Sequence, residues 1–155
     1  LVQIHRHQGE APRLQAVLES AAHLKLFHFG RFDIAMLARD LGIACGPVYC
    51  TKIASKLART YTDKHGLKDV VKELLGRDLS KENQSSDWGA AELTDSQLAY
   101  AASDVVHLHE VKAKLDAILV REGRMALAEA CFAFLPIRAQ LDLAGWEPVD
   151  IFAHS

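Results

Sequence analysis

The sequence predicts an α/β domain with a partly parallel sheet. Three observations carry this expectation: strand and helix patterns alternate in the first half of the chain, helices follow, and the length suits one domain. The chain has 155 residues, of which half are hydrophobic and a quarter charged, as in ordinary globular proteins. This composition excludes a disordered tail, a collagen-like fibre and a disulfide scaffold.

Periodicity and punctuating residues predict the elements in order. The expected strands are 1–6, 24–29 and 47–50. The expected helices are 12–21, 31–41, 51–59, 67–75, 95–120 and 124–134.

Residues suited to helix ends support several of these boundaries. Pro12 fits the first turn of its helix, and Gly42 stands at a helix stop. Thr94 and Gln97 have the spacing of a capping box at the start of the longest helix. Residues 77–92 are polar and irregular, and a mixed tail follows residue 134.

The charge balance narrows the possible partners. Eighteen basic and 20 acidic residues give a net charge of -2, which excludes a strongly basic nucleic-acid coat protein but leaves room for a local basic patch. The three cysteines have no metal-type spacing and predict free thiols in a cytoplasmic protein. No apolar run is long enough for a membrane span, so no membrane partner is expected.

Tyr100 and Asp104 are the first candidates for chemistry. Positions four apart share one face of a helix, and this face borders the apolar stripe. The pair therefore lies at the rim of the core, where a cleft can form. Taken alone, the pair is also consistent with an ordinary tyrosine and a solvated aspartate.

The segment 28–33 is the second candidate, because it crosses from a strand end into a helix. Side chains at the carboxyl ends of strands commonly line the crevice of an open α/β sheet. Asp33 lies in the first helical turn. Taken alone, it is also consistent with an acidic residue stabilised by the helix N-terminus.

Together these residues resemble the DEDD superfamily of 3′-5′ exonucleases, in the subclass whose last motif carries tyrosine. The run from Lys81 to Trp88 resembles the K-x-x-Q-x-S-D-W segment of the ribonuclease D group. The stretches 50–56, 61–68 and 150–155 resemble the nanoRNase C family of alphaproteobacteria. The resemblance covers essentially the whole chain.

The resemblance implies an RNase H-like three-layer fold and phosphodiester hydrolysis with two divalent ions, Mg²⁺ or Mn²⁺, bound by carboxylates. It implies that Asp33 and Asp104 are metal ligands and that Tyr100 positions the attacking water. The substrates would be short single-stranded RNAs, down to dinucleotides. The candidate substrate-binding residues are His28, Gln84, Arg31 and Lys81. A ring-shaped homo-oligomer is also implied.

The first motif of the superfamily, Asp-x-Glu on the first strand, does not occur in the chain. We therefore expect an N-terminally incomplete fold and no activity from residues 1–155 alone. The expected division is a nuclease domain over 1–134 and a C-terminal tail over 135–155 that makes an oligomer contact.

Two alternatives stay open. One is a broader ribonuclease D-like activity on RNA 3′ ends or single-stranded DNA. The other, from a different class, is a non-catalytic nucleic-acid-binding remnant or scaffold. Trp88, Trp146 and Phe152 suit either base stacking or packing, and packing is favoured.

Overall fold

The expected α/β class is confirmed in the computed structural model, which describes residues 1–4, 10–80 and 84–154. Its two described strands are β1 (Lys25–Phe27) and β2 (Val48–Cys50), which pair in parallel with Leu26 opposite Tyr49. The helices are α1 (Pro12–Glu19), α2 (Gly30–Leu41), α3 (Thr51–Ala58), α4 (Leu67–Leu75), α5 (Asp95–Ser103), α6 (Leu108–Arg121) and α7 (Met125–Leu141). Because parallel strands require a crossover, α2 connects β1 to β2.

The strand expected over 1–6 is wrong in its described part. Residues 1–4 have no strand structure and are exposed, while 5 and 6 lie outside the described residues. The side chain of Gln3 donates hydrogen bonds to the carbonyls of Ala90 and Ala91 at 3.1 and 3.2 Å. This contact holds the segment against a loop instead of a strand.

The junction between β1 and α2 is tightly built. A Cβ on Gly30 would lie 2.8 Å from the Cβ of Phe27, so only glycine allows the helix to start this close to the strand. Phe29, directly before it, has φ 71° and is therefore in the left-handed region. The turn fixes the direction in which the first residues of α2 point.

The helix expected over 95–120 is divided into α5 and α6. The capping box at its start is confirmed: the Thr94 hydroxyl accepts from the Gln97 amide, and the Gln97 side chain accepts from the Thr94 amide. After Ser103 the chain makes a turn. The Ser103 hydroxyl donates to the Tyr100 carbonyl at 2.6 Å, which competes with the helical bond, and two β-branched residues, Val105 and Val106, follow.

The last helix is longer than the expected 124–134. It continues to Leu141 and contains Pro136. Leu135 and Ala139 are buried in the core, and their packing outweighs the backbone hydrogen bond that Pro136 lacks. The division expected at residue 134 therefore falls inside α7. The following turn, Asp142–Trp146, bends at Gly145, whose φ is 101°.

The core lies where α6 packs against α3 and α4 and where α7 packs against α2 and β2. Its fully buried members come from most elements; they include Ile43, Cys50, Ala54, Val70, Val71, Val111, Leu115, Leu119 and Ala128. This packing leaves the carboxyl end of β1 and the start of α4 facing α5. Within the described ranges, no helix has the length and apolar character needed to cross a membrane.

Candidate active site

A cavity of about 560 Å³ opens between the end of β1, the first turns of α2 and α4, and the end of α5. Asp33, Tyr100 and Asp104 all line it. His28 and Gln84 line the same cavity. Five of the seven residues expected at the site are therefore brought together from parts of the chain up to about 76 residues apart.

Asp33 and Asp104 supply carboxylates to this cavity. Burial raises the pKa of both above the ordinary aspartate value; at Asp33 its own backbone amide opposes the effect. Neither carboxylate has an ion-pair partner among the residues that the structure describes. The half-buried Asp33 loses solvation without gaining a protein cation and is therefore suited to a cation from solution; the exposed Asp104 adds a second carboxylate to the same cavity.

Tyr100 is held beside Asp104 by its position on α5. Its ring contacts that of Trp88, with 5.9 Å between ring centroids, so Trp88 packs against a candidate site residue, in agreement with the packing expectation. Burial, and then the charge of Asp104, raise the pKa of the Tyr100 phenol. The phenol therefore stays protonated at neutral pH and can donate a hydrogen bond.

His28 is the residue at which β1 meets the cavity. Its Nδ1 lies 2.9 Å from the hydroxyl of the buried Thr51, which also donates to the Phe27 carbonyl at 3.1 Å. Burial, and then the charge of Lys52, lower the pKa of His28 to about 4, while the backbone of His65 acts in the opposite direction. His28 is therefore a neutral imidazole that joins the strand end to α3.

Gln84 reaches the cavity from the loop that precedes α5. This loop is attached to the helix by Gln97, whose side-chain amide donates to the Ser86 hydroxyl at 3.1 Å and to the Asp87 carbonyl at 3.0 Å. The same Gln97 completes the capping box of α5. The loop and the helix that carries Tyr100 therefore form one hydrogen-bonded unit.

Arg31 does not line this cavity, and its expected contact with the substrate stays a prediction. Its guanidinium forms two hydrogen bonds with the Asp142 carboxylate, at 2.6 and 2.8 Å, and a third with the Glu147 carbonyl. Arg31 therefore joins α2 to the turn after α7. Lys81, the remaining expected residue, lies outside the described residues.

The first turn of α4 is a part of the cavity wall that the residue patterns did not assign. Gly66, Leu67, Lys68 and Asp69 line the cavity. Two signals in the sequence concern this wall. The mixture of basic and aromatic residues over 61–68 is equally consistent with an RNA contact and a solvated loop, and the same stretch resembles the nanoRNase C family. Lys68 and Asp69 bring one positive and one negative side chain to this wall.

The loop before α4 is fixed by Arg59, which is 1% exposed. Its guanidinium donates to the Ser55 hydroxyl at 2.9 Å and to the Lys64 carbonyl at 2.7 Å, and it pairs with Glu73. A buried guanidinium with these partners holds the loop rigidly. The position of the α4 wall is thus set from within the core.

The donor set fits a magnesium-type cation. Such ions prefer oxygen ligands, keep several waters, and are commonly bound through one or two carboxylates plus substrate phosphates. Asp33 and Asp104 meet this requirement. No cluster of three or more histidine, cysteine, aspartate or glutamate ligands occurs in the described ranges, so a site built wholly from protein ligands is not present there.

Comparison with known proteins agrees with this geometry. A 3′-5′ exonuclease family model matches residues 1–120. Ribonuclease D of Acidiphilium cryptum is 37% identical over 112 residues, which is 72% of this chain and 28% of that protein. DNA polymerase I of Aquifex aeolicus is 42% identical over 88 residues, 57% of this chain and 15% of that protein.

Solved structures show the same similarity. Brucella melitensis NrnC is 57% identical to this chain and superposes on it with a TM-score of 0.95. The match includes 99% of this chain and 74% of the NrnC chain. NrnC has also been solved with bound Mg²⁺ and bound to pGG. Escherichia coli RNase D is 28% identical with a TM-score of 0.74, over 82% of this chain and 34% of that one.

The chain spans little more than a quarter of the curated ribonuclease D relatives it matches. The family match nevertheless covers most of the chain, and the RNase H-like fold is shared with these exonucleases. The chain belongs to the 3′-5′ exonuclease family.

Proposed function

We propose that this protein is a metal-dependent 3′-5′ exoribonuclease that hydrolyses short oligoribonucleotides, down to dinucleotides, to 5′-mononucleotides. The observation that carries the proposal is that the carboxylates of Asp33 and Asp104, neither of them in an ion pair with a described residue, line one cavity together with the protonated phenol of Tyr100. The similarity to a nuclease solved with bound Mg²⁺ and bound to pGG supports the choice of metal and substrate.

Each residue has a distinct task in this proposal. Asp33 and Asp104 hold the divalent cation, Mg²⁺ or Mn²⁺. When bound, such cations neutralise phosphate charge and promote deprotonation of water at neutral pH. The Tyr100 phenol donates a hydrogen bond that orients the attacking water. Its raised pKa favours this positioning role over proton abstraction.

The reaction balances as a hydrolysis. A water oxygen forms a bond to the scissile phosphorus, and the bond between that phosphorus and the 3′ oxygen of the upstream nucleotide breaks. The released 3′ oxygen takes up a proton, which leaves a shortened chain with a 3′ hydroxyl. The other product is a 5′-mononucleotide. Neutral His28 and Gln84 line the same cavity and are proposed to contact this substrate.

The direct test is cleavage of a 5′-labelled diribonucleotide and heptaribonucleotide in Mg²⁺ or Mn²⁺. It uses residues 1–155 and a longer form with an Asp-x-Glu strand before residue 1. We expect the longer form to shorten the heptamer one nucleotide at a time from its 3′ end. Asp104→Asn should abolish cleavage, and Tyr100→Phe should reduce kcat about a hundredfold.

The controls separate the alternatives. Asp63→Asn changes an exposed carboxylate outside the cavity and should leave cleavage unchanged. Binding of RNA without any metal-dependent cleavage by the longer form would refute the enzyme and support a binding remnant. Equal cleavage of long RNA 3′ ends or single-stranded DNA would favour the broader activity instead of the short-substrate one.

We also propose, from the same similarity, a cytoplasmic homo-oligomer, with the short RNA as substrate inside a ring. Three cysteines without disulfide bonds support the reducing compartment. Exposed apolar side chains after α7, with Phe152 76% exposed, support a contact between copies.

A further inference from the structure

A second cavity, of about 650 Å³, lies on the other side of the junction between β1 and α2. His28 lines the active-site cavity, and its neighbour Phe29 lines the second one. Thr51, which bonds His28, is followed directly by Lys52, which also lines the second cavity. The two cavities are therefore adjacent, with one turn of backbone between them.

Phe29 occupies a strained position for a bulky residue. Its φ of 71° lies in the left-handed region, which favours glycine. Burial of the side chain does not offset the cost of this backbone conformation, because the residue is 48% exposed. The Nζ atom of Lys52 lies 4.7 Å from the centre of the ring. The fold thus holds an aromatic ring at the surface where packing does not require one.

The charge of the second cavity is concentrated on α3. Lys52 and Lys56 lie one helical turn apart and both line the cavity, and neither forms an ion pair with any residue that the structure describes. The cavity also contains Arg31 and Arg138, but both are paired with Asp142. The carboxylates of Glu147 and Asp150 also line it, so the free positive charge belongs to the two lysines.

We propose that the surface formed by Phe29, Lys52 and Lys56, here called the Phe29 groove, binds the nucleotide on the 5′ side of the scissile phosphate. Its base stacks on the Phe29 ring, and its own phosphate lies against Lys52 and Lys56. Aromatic stacking with basic groups alongside is how proteins bind single-stranded nucleic acid without reading sequence. The proposal rests on the proposed function, because it assigns the path of the same substrate.

The test compares two substrates with the chain extended by an added Asp-x-Glu strand, as in the direct test of the proposed function. One is a 5′-phosphorylated triribonucleotide; the other is a 4-nitrophenyl ester of a 5′-mononucleotide, which has no upstream nucleotide. Phe29→Gly removes the ring and suits the left-handed backbone, so it should fold. Lys52→Ala with Lys56→Ala removes the charge. Leu127→Ala and Lys114→Ala are controls at exposed residues that line neither cavity.

We expect both groove variants to lower kcat/KM for the trinucleotide about tenfold, mainly through KM, while hydrolysis of the small ester changes less than about twofold. An unchanged trinucleotide reaction, or an equal loss with both substrates, would overturn the proposal. If the groove variants instead change the oligomeric state in sedimentation velocity, the groove is an interface between copies and the proposal is wrong.

Failure of the groove proposal can be distinguished from failure of the proposed function. If the unmodified protein cleaves neither substrate, the nuclease proposal fails. Fluorescence anisotropy with a labelled trinucleotide then measures binding without cleavage, and the groove proposal still requires about tenfold weaker binding by both groove variants. Equal binding by all variants would reject it.

Discussion

Tyr100 keeps its proton over the physiological pH range, because burial and the charge of Asp104 raise its pKa. A phenol in this state is a hydrogen-bond donor and a poor base. The ring of Trp88 packs against the ring of Tyr100, and Tyr100 and Asp104 line the same cavity. The positioning role that the family resemblance implies for Tyr100 stays a prediction, and a protonated phenol in the cavity is consistent with it.

His28 gives the fold a specific sensitivity to acid. Its pKa is lowered from 6.5 to about 4 by burial and by Lys52, whereas the unfolded chain takes up a proton near 6.5. Stability contributed by the neutral form is present above pH 6.5 and is lost as pH falls toward 4, because only the unfolded state binds the proton in this window. We expect a loss on the order of 2 kcal/mol.

Thermal unfolding of the unmodified protein and of His28→Asn at pH 7, 6, 5 and 4 measures this effect. Asparagine can still donate to the Thr51 hydroxyl, but it does not titrate. The difference in Tm between the two proteins should therefore shift in favour of the variant as pH falls. Parallel curves over the whole range would show that His28 is protonated normally in the fold.

At the level of single residues, the sequence allowed part of the site to be predicted. Helix spacing places Tyr100 beside Asp104, and a strand end followed by a helix start places Asp33 at the crevice; both are local rules. The place of Arg31 outside the active-site cavity could not be predicted, because its partner, Asp142, is 111 residues away along the chain. No local pattern reveals such a pair. The catalytic and metal-binding roles themselves stay predictions.

Among the helices, α5 has the greatest influence on the site, since it carries Tyr100 and ends at Asp104. Thr94→Ala removes the hydroxyl that accepts from the Gln97 amide, and we expect it to destabilise the start of α5 by about 1 kcal/mol. Amide hydrogen exchange over 95–103 should become faster, and metal affinity should fall with it. Thr94→Ser keeps the cap and should restore both. Unchanged exchange in Thr94→Ala would contradict this account.

The link between α2 and the turn after α7 makes a different prediction. Arg31→Ala leaves the Asp142 carboxylate, which is 10% exposed, with Arg138 as its remaining partner at 3.2 Å. We expect a loss of about 1–3 kcal/mol in the free energy of unfolding, measured in urea. Arg31→Lys should recover little, because lysine cannot form both hydrogen bonds.

Metal binding provides the second readout for this pair. Arg31 lies outside the active-site cavity, so Arg31→Ala should bind Mn²⁺ as the unmodified protein does. A large loss of metal affinity without a loss of stability would show that Arg31 acts at the active site and would refute its structural role.

Some helix boundaries are set by local sequence and others by contacts that are distant along the chain. Gly42 and Gly76 end α2 and α4 where expected, each with a positive φ, because helix stops are local signals. The break after Ser103 depends on a side-chain hydrogen bond, and the continuation of α7 through Pro136 depends on burial of Leu135 and Ala139. The first is a local side-chain effect, whereas the second is decided by tertiary packing, which outweighs the local preference of proline.

At the scale of the whole molecule, substitutions in the segment after α7 test the proposed homo-oligomer. Trp146, Ile151 and Phe152 are between 44% and 76% exposed, and Phe152 contacts Phe134 at 5.8 Å between ring centroids. We expect sedimentation velocity to show an oligomer that Ile151→Asp dissociates, because a charge would be buried in an apolar contact; Ile151, unlike Phe152, does not line the second cavity. Lys114→Ala is the control. A monomeric unmodified protein would refute the assembly.

Binding of Mn²⁺, measured by electron paramagnetic resonance in the absence of RNA, tests the central claim most directly. If Asp33 and Asp104 form one cation site, Asp33→Asn and Asp104→Asn should each weaken Mn²⁺ binding by about tenfold or more. The double variant should bind Mn²⁺ only slightly more weakly than either single variant. Asp63→Asn should bind as the unmodified protein does. Retention of full Mn²⁺ affinity by the double variant would contradict the shared site.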